Sequence, residues 1–215
     1  MQVAVIGAHG GIGRLLLEQL DDTAHDAVGV VRDDDQFDAI RARGAEPRHG
    51  DLEGAFADAL DGADAVVFTA GAGGATGWDK TIMVDLWGAR RTVDVCEQTG
   101  IDRYVMISAT GAADPDTGWE PLRPYLVAKR CADDYLADSA LDETILRPTT
   151  LTDEDGTGRV RAAHEPVGDD GPDIPRADVA AAVVACLDTP ATVGRTIELY
   201  GGDTPVAEAV HPPSA

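Results

Sequence analysis

The glycine spacing near the N-terminus constrains this chain more than any other feature. Gln2-Val3-Ala4-Val5-Ile6 is a short apolar run, followed directly by Gly7-Ala8-His9-Gly10-Gly11-Ile12-Gly13. Leu15, Leu16, Leu17 and Leu20 then recur on a helical stripe. A strand, a glycine turn and a helix in that order form a backbone cradle for phosphate. Glycine allows unusual dihedrals and close approach of a ligand, while the helix N-terminus attracts negative charge. Gly7, His9, Gly10, Gly11, Ile12 and Gly13 are therefore expected to hold the diphosphate of a dinucleotide. The spacing is G-x-x-G-x-x-G, not the G-x-G-x-x-G of long-chain dehydrogenases.

The rest of the chain alternates strand and helix. Strands are expected at 27–31, 46–49, 65–68, 103–108, 144–147 and 196–200. Helices are expected after Asp33, around Phe56 and Leu60, and over 79–98, 124–139 and 177–187. Alternation at this spacing predicts a parallel sheet with helices on both faces. At 215 residues the chain suits one domain. That domain is expected over 1–202, with small substrate-site elements after 148 and a flexible tail at 203–215.

Charge narrows the class of partner. Thirty-nine acids face seventeen bases, giving a formal net charge of −22. Such a surface repels nucleic acid and anionic membranes, and resembles that of proteins from salt-loving microbes. No apolar run approaches the roughly 20 residues of a membrane helix. Cys96, Cys131 and Cys186 lack disulfide or metal spacing, and the histidines lack ligand spacing, so a metal-free cytoplasmic protein is expected. The partner is then a small molecule, and the chain acts as a monomer or homodimer.

Two groups speak to chemistry. The second strand ends in Arg32, which suits the 2′-phosphate of NADP, whereas Asp33, Asp34 and Asp35 argue for NAD or cap the next helix. Asp51 can bind the adenine amino group or cap a helix. Tyr125 and Lys129, four apart, share a helix face, and Lys129 is one of only two lysines. A cation near a phenol of pKa about 10 favours its phenolate, so Tyr125 can exchange a proton while hydride moves, with Lys129 also holding the ribose. Ser108 closes the preceding strand and can orient a substrate carbonyl. Trp78 and Trp119 lie in loops expected at the mouth of the site and can border a flat substrate, while Trp87 is expected in the core or at an interface.

These residues resemble the atypical, NAD(P)H-binding branch of the short-chain dehydrogenase/reductase family, near its NmrA-like and epimerase-like members. The resemblance runs through Gly7 to Gly13, Val31-Arg32, Gly50-Asp51-Leu52, Ala70-Gly71, Val105 to Ser108, Tyr125 to Lys129, Leu146-Arg147-Pro148 and Pro175 to Ala180. It implies an α/β, doubly wound Rossmann sheet of order 3-2-1-4-5-6, with room for a seventh strand. It further implies that Asp51 and Leu52 meet the adenine, Ala70 and Gly71 its ribose, and Pro148 and Thr149 the nicotinamide. Ser108, Tyr125 and Lys129 would form the catalytic group. The expected activity is an NADP-dependent oxidoreductase acting on a small carbonyl, quinone or flavin-like substrate. Two alternatives stand beside it: a non-catalytic NADP-binding sensor or assembly factor, and an NAD-dependent epimerase or dehydratase. His9 replaces the threonine or serine of many relatives, and Asp85 stands near a position where many use asparagine to steady the lysine.

Overall fold

The computed structural model describes residues 1–164 and 171–212. β1 (Gln2–Ile6) leads into α1 (Gly11–Asp21), β2 (Asp26–Val31), α2 (Phe37–Arg41), β3 (Glu46–His49) and β4 (Ala65–Phe68). A composite helix follows: α3 (Trp78–Lys80), a π-helical segment at Thr81–Gly88, and α4 (Ala89–Thr99). Next come β5 (Arg103–Ile107), α5 (Arg123–Ala137), β6 (Asp142–Pro148), β7 (Leu151–Thr152), β8 (Arg159–Ala163) and β9 (Ile174–Pro175). α6 (Arg176–Asp188), β10 (Arg195–Gly201), β11 (Thr204–Pro205) and α7 (Val206–Ala209) complete the chain.

The central sheet runs β3-β2-β1-β4-β5-β6-β10-β8-β11, while β7 and β9 pair separately. All neighbours from β3 to β10 are parallel; β8 is antiparallel to both β10 and β11. The expected order 3-2-1-4-5-6 is present, and β10 is the seventh strand. The sheet is doubly wound because both faces are buried. Val3 and Val5 of β1 pack towards α1 and α6 with Leu16, Leu17 and Val183. Ala4 and Ile6 pack on the opposite side with Val93, Cys96 and Leu136. Two apolar faces explain why the strands read as continuous apolar runs without alternation.

Three local expectations differ from what is found. The helix expected around Phe56 and Leu60 is a single 3-10 turn, Ala57–Leu60, although both side chains are buried. The long helix contains the π segment, which periodicity of 3.6 does not reveal. Residues 203–212 are not a loose tail. β11 pairs with β8, and Val206 and Val210 are buried, so apolar burial ties this segment down.

Candidate active site

Strand order reverses at β1, between β2 and β4, and such a switch point opens a crevice at the carboxyl ends of the strands. A cleft of about 870 Å³ lies there. Its floor is the glycine turn. Gly7 has φ +82°, and a Cβ on it would stand 2.6 Å from the Ala70 backbone. A Cβ on Gly13 would stand 2.4 Å from the Gly7 carbonyl oxygen, so Gly13 serves close helix–strand packing and does not line the cleft. Gly10 caps α1 without a side-chain hydrogen bond, and the first turn carries no acid. The uncapped helix end, the small residues and the cleft volume all fit a dinucleotide.

At the outer end, Arg32 lines the cleft and donates to the Asp33 carboxylate at 3.2 Å from Nη2. Asp51 also lines it, while its Oδ1 accepts from the Glu53 amide at 2.9 Å, so the carboxylate braces a turn. Leu52, Ala70 and Gly71 are in the wall, as is His9. Lys80 bonds both oxygens of Glu53, at 2.7 and 2.8 Å, beside the same opening.

Ser108, Tyr125 and Lys129 all line the inner part of this cleft. Lys129 is buried and donates to the Ile107 carbonyl at 2.6 Å, leaving two N–H groups for other acceptors. Burial lowers its pKa, and the Asp85 and Asp133 carboxylates oppose that shift. Asp85 comes from the π segment, accepts from the Ala72 amide at 2.9 Å, and is itself raised by burial against the pull of Lys129. Thr81 and Val84 of the same segment also line the cleft; π-helical turns often occur where side chains must be re-aimed at a site.

Two findings change the reading of the catalytic group. Burial, with the Asp85 and Asp133 charges, pushes the Tyr125 phenol well up, whereas Lys129 alone was expected to favour phenolate. Ser108 donates its one proton to Asp133 Oδ2 at 2.8 Å, so its lone pairs, not its hydrogen, are left for the cleft. Asp133 also accepts from Arg147 Nε at 2.9 Å, and its Oδ1 is buried without a hydrogen bond. Sequence reasoning passed over Asp133. Its signal was available, since it lies four residues after Lys129 and eight after Tyr125 on one helix face.

Other expected residues lie elsewhere. Pro148 pairs with Leu199 across β6 and β10, and the Thr149 amide donates to the Leu199 carbonyl at 2.9 Å. Neither lines the cleft; Leu151 and Arg176 do. Trp78 borders the opening, while Trp119 is 70% exposed outside it. Trp87 is also exposed, with the Arg90 guanidinium 5.5 Å from its ring centroid.

Fold and cleft together define a dinucleotide-binding α/β protein. The chain belongs to the NAD(P)H-binding family, whose pattern matches residues 7–190. It is 43% identical to the uncharacterized sugar epimerase YhfK of Bacillus subtilis over 98% of this chain and 99% of that one. A solved structure from Bacillus halodurans, provisionally designated an NAD-dependent epimerase/dehydratase, is 44% identical with a TM-score of 0.95, covering 98% of each chain. Sanguinarine reductase of Eschscholzia californica is 30% identical over 59% of this chain and 48% of its own. Among the described residues, no helix is long and apolar enough to cross a membrane.

Proposed function

We propose that this protein is an NADP-dependent oxidoreductase that reduces a small carbonyl, quinone or flavin-like substrate. One observation carries the reading. A single cleft joins the glycine turn and Arg32 to Ser108, Tyr125 and Lys129, and from beyond Pro148 only Leu151 and Arg176 of the described residues line it. Among the described residues, β10, β8 and β11 extend the sheet edge and β7 with β9 forms only a two-stranded pair, which suits a small substrate better than a nucleotide sugar.

Gly7, Gly10, Gly11 and Ile12 would hold the diphosphate, Arg32 the 2′-phosphate, and Lys129 the nicotinamide ribose. A reduced nicotinamide bound there would supply the hydride, which forms a C–H bond where the substrate is a carbonyl. Tyr125, kept protonated by its surroundings, gives its phenolic proton to the substrate oxygen and regains one from solvent. Ser108, its hydrogen committed to Asp133, accepts from a donor in the cleft. Because the Tyr125 pKa is raised, the acid form persists as pH climbs. The reduction rate should therefore show no loss from this group at the ordinary tyrosine value of about 10.

The test is NADPH and NADH titration, then NADPH oxidation against a panel of small carbonyls and quinones. Tyr125→Phe is expected to lower turnover by about 10²- to 10⁴-fold with NADPH affinity little changed. Unchanged turnover removes Tyr125 from the chemistry. A second reading, an epimerase or dehydratase, draws on the names of the two Bacillus relatives. Such an enzyme returns the hydride to its substrate and consumes no net cofactor, so stoichiometric NADPH oxidation separates the two. A protein that binds NADPH, oxidises none with any acceptor and interconverts or dehydrates no sugar or hydroxy substrate would instead be a sensor.

A further inference from the structure

The start of α6 faces the glycine turn across the cleft, and the proposed chemistry leaves it unused. A Cβ on Gly11 would stand 2.9 Å from Cδ and 3.1 Å from Nε of Arg176. The Arg176 side chain therefore lies directly over the first residue of α1. The two residues that follow it are fixed from two sides. Gln19 of α1 donates to the Ala177 carbonyl at 2.9 Å. Asp178 accepts from the Thr157 amide and hydroxyl and from the Gly158 amide, at 3.0, 2.8 and 2.8 Å. The end of the arginine reaches towards solvent, where its side chain is 27% exposed. It pairs with Asp153, whose own side chain is 91% exposed.

In a chain of net charge −22, this is a notable concentration of positive potential. The N-terminus of α1 has no side-chain cap and no acid in its first turn, and a guanidinium is suspended above it. A helix end and a planar cation aimed at one spot favour a phosphate group with oxygens to share between them.

We propose that Arg176 binds the diphosphate bridge of the dinucleotide, closing over it from the C-terminal half of the chain while the glycine turn holds it from below. The inference rests on the dinucleotide reading of the cleft. It also gives Gly11 a second reason to lack a side chain, because any Cβ there would displace the arginine. On binding, the guanidinium exchanges all or part of its pairing with solvent-exposed Asp153 for the phosphate oxygens.

The diphosphate is common to both nucleotides, and this separates Arg176 from Arg32. In fluorescence titrations of the full chain with NADH and NADPH, Arg176→Ala should weaken both by the same factor, about tenfold. Its melting temperature without nucleotide should stay close to that of wild type, since the side chain is partly exposed. Arg176→Lys, which keeps the charge, should recover most of the affinity. Asp153→Asn breaks the same ion pair but leaves the arginine, and should bind both nucleotides at least as tightly as wild type. Arg176→Ala binding both nucleotides within twofold of wild type overturns the assignment. A loss confined to NADPH also overturns it, placing the arginine on the 2′-phosphate. Weaker binding by Asp153→Asn would show that the ion pair itself is what matters. If the wild-type chain binds neither nucleotide, the dinucleotide reading falls first and this inference with it.

Discussion

The two ends of the cleft use the same chemical pair in opposite settings. At the outer end Arg32 meets Asp33 at 3.2 Å, with side chains 65% and 47% exposed. Behind the inner end, one hydrogen bond back from Ser108, Arg147 meets Asp133 at 2.9 Å, with side chains 9% and 1% exposed. Water and salt screen the first pair, whose value is of order 0–1 kcal/mol at most. The second pair has lost its water, so each partner depends on the other. The outer end can thus change its ligand preference at little cost to the fold. The inner end cannot alter one group without disturbing both the site and the core.

The largest effect should come from Asp133→Ala. It leaves the Arg147 charge buried without its partner and removes the acceptor of the Ser108 hydroxyl. Breaking a buried pair in this way costs about 3–5 kcal/mol, to be read from chemical denaturation in molar potassium chloride. Asp133→Asn retains an oxygen to accept from Ser108 and should lose less. A loss below about 1 kcal/mol for the alanine variant would mean that water reaches the inner pair, and the contrast between the two ends would fail.

The contrast also explains what could be read from the sequence. The floor of the cleft is built from backbone: glycine at Gly7 and, packed behind it, at Gly13 is demanded by a positive φ or a close approach, and a glycine pattern is visible in one dimension. The parallel sheet followed from alternation, and its strand order from the resemblance alone. The inner end depends on burial. The spacing puts Asp133 on the helix face of Tyr125 and Lys129, but nothing local says that burial and the Asp85 and Asp133 carboxylates would raise the Tyr125 phenol. The π segment that turns Thr81 and Asp85 into the cleft carries no simple period. Arg176 is distant in sequence from the turn it covers, and only the packing of α6 on α1 brings them together.

A middle-sized effect is expected at Arg32. Arg32→Ser should weaken NADPH by about tenfold through loss of a charge-assisted phosphate contact, leave NADH within twofold, and move stability by less than about 0.5 kcal/mol. Parallel titrations with the two nucleotides check this. Equal losses for both would mean that Arg32 does not read the 2′-phosphate. An NADH preference in the wild-type chain would give the ribose to Asp33, its neighbour in the cleft wall.

The smallest effect sharpens the comparison most, because it uses the adjacent residue of the same helix. Arg130 Nε donates to both oxygens of Asp134, at 2.7 and 2.8 Å, with side chains 42% and 55% exposed. By distance alone this pair is as good as Arg147 with Asp133. Its helical spacing of i,i+4 is worth about 0.3–0.5 kcal/mol when exposed. Arg130 Nη1 also donates to the Ala113 carbonyl at 2.8 Å, which ties down the loop after β5 and adds a little. Arg130→Ala should therefore cost under about 1 kcal/mol, and Asp134→Ala, which leaves the Ala113 contact intact, still less. Denaturation in low and molar potassium chloride gives the decisive form of the test. The Arg130 loss should shrink as salt screens the exposed pair, while the Asp133 loss should hold, because ions do not enter the core. If both losses fell together with salt, or if Arg130→Ala cost as much as Asp133→Ala, burial would not be what separates two neighbouring aspartates with nearly identical partners.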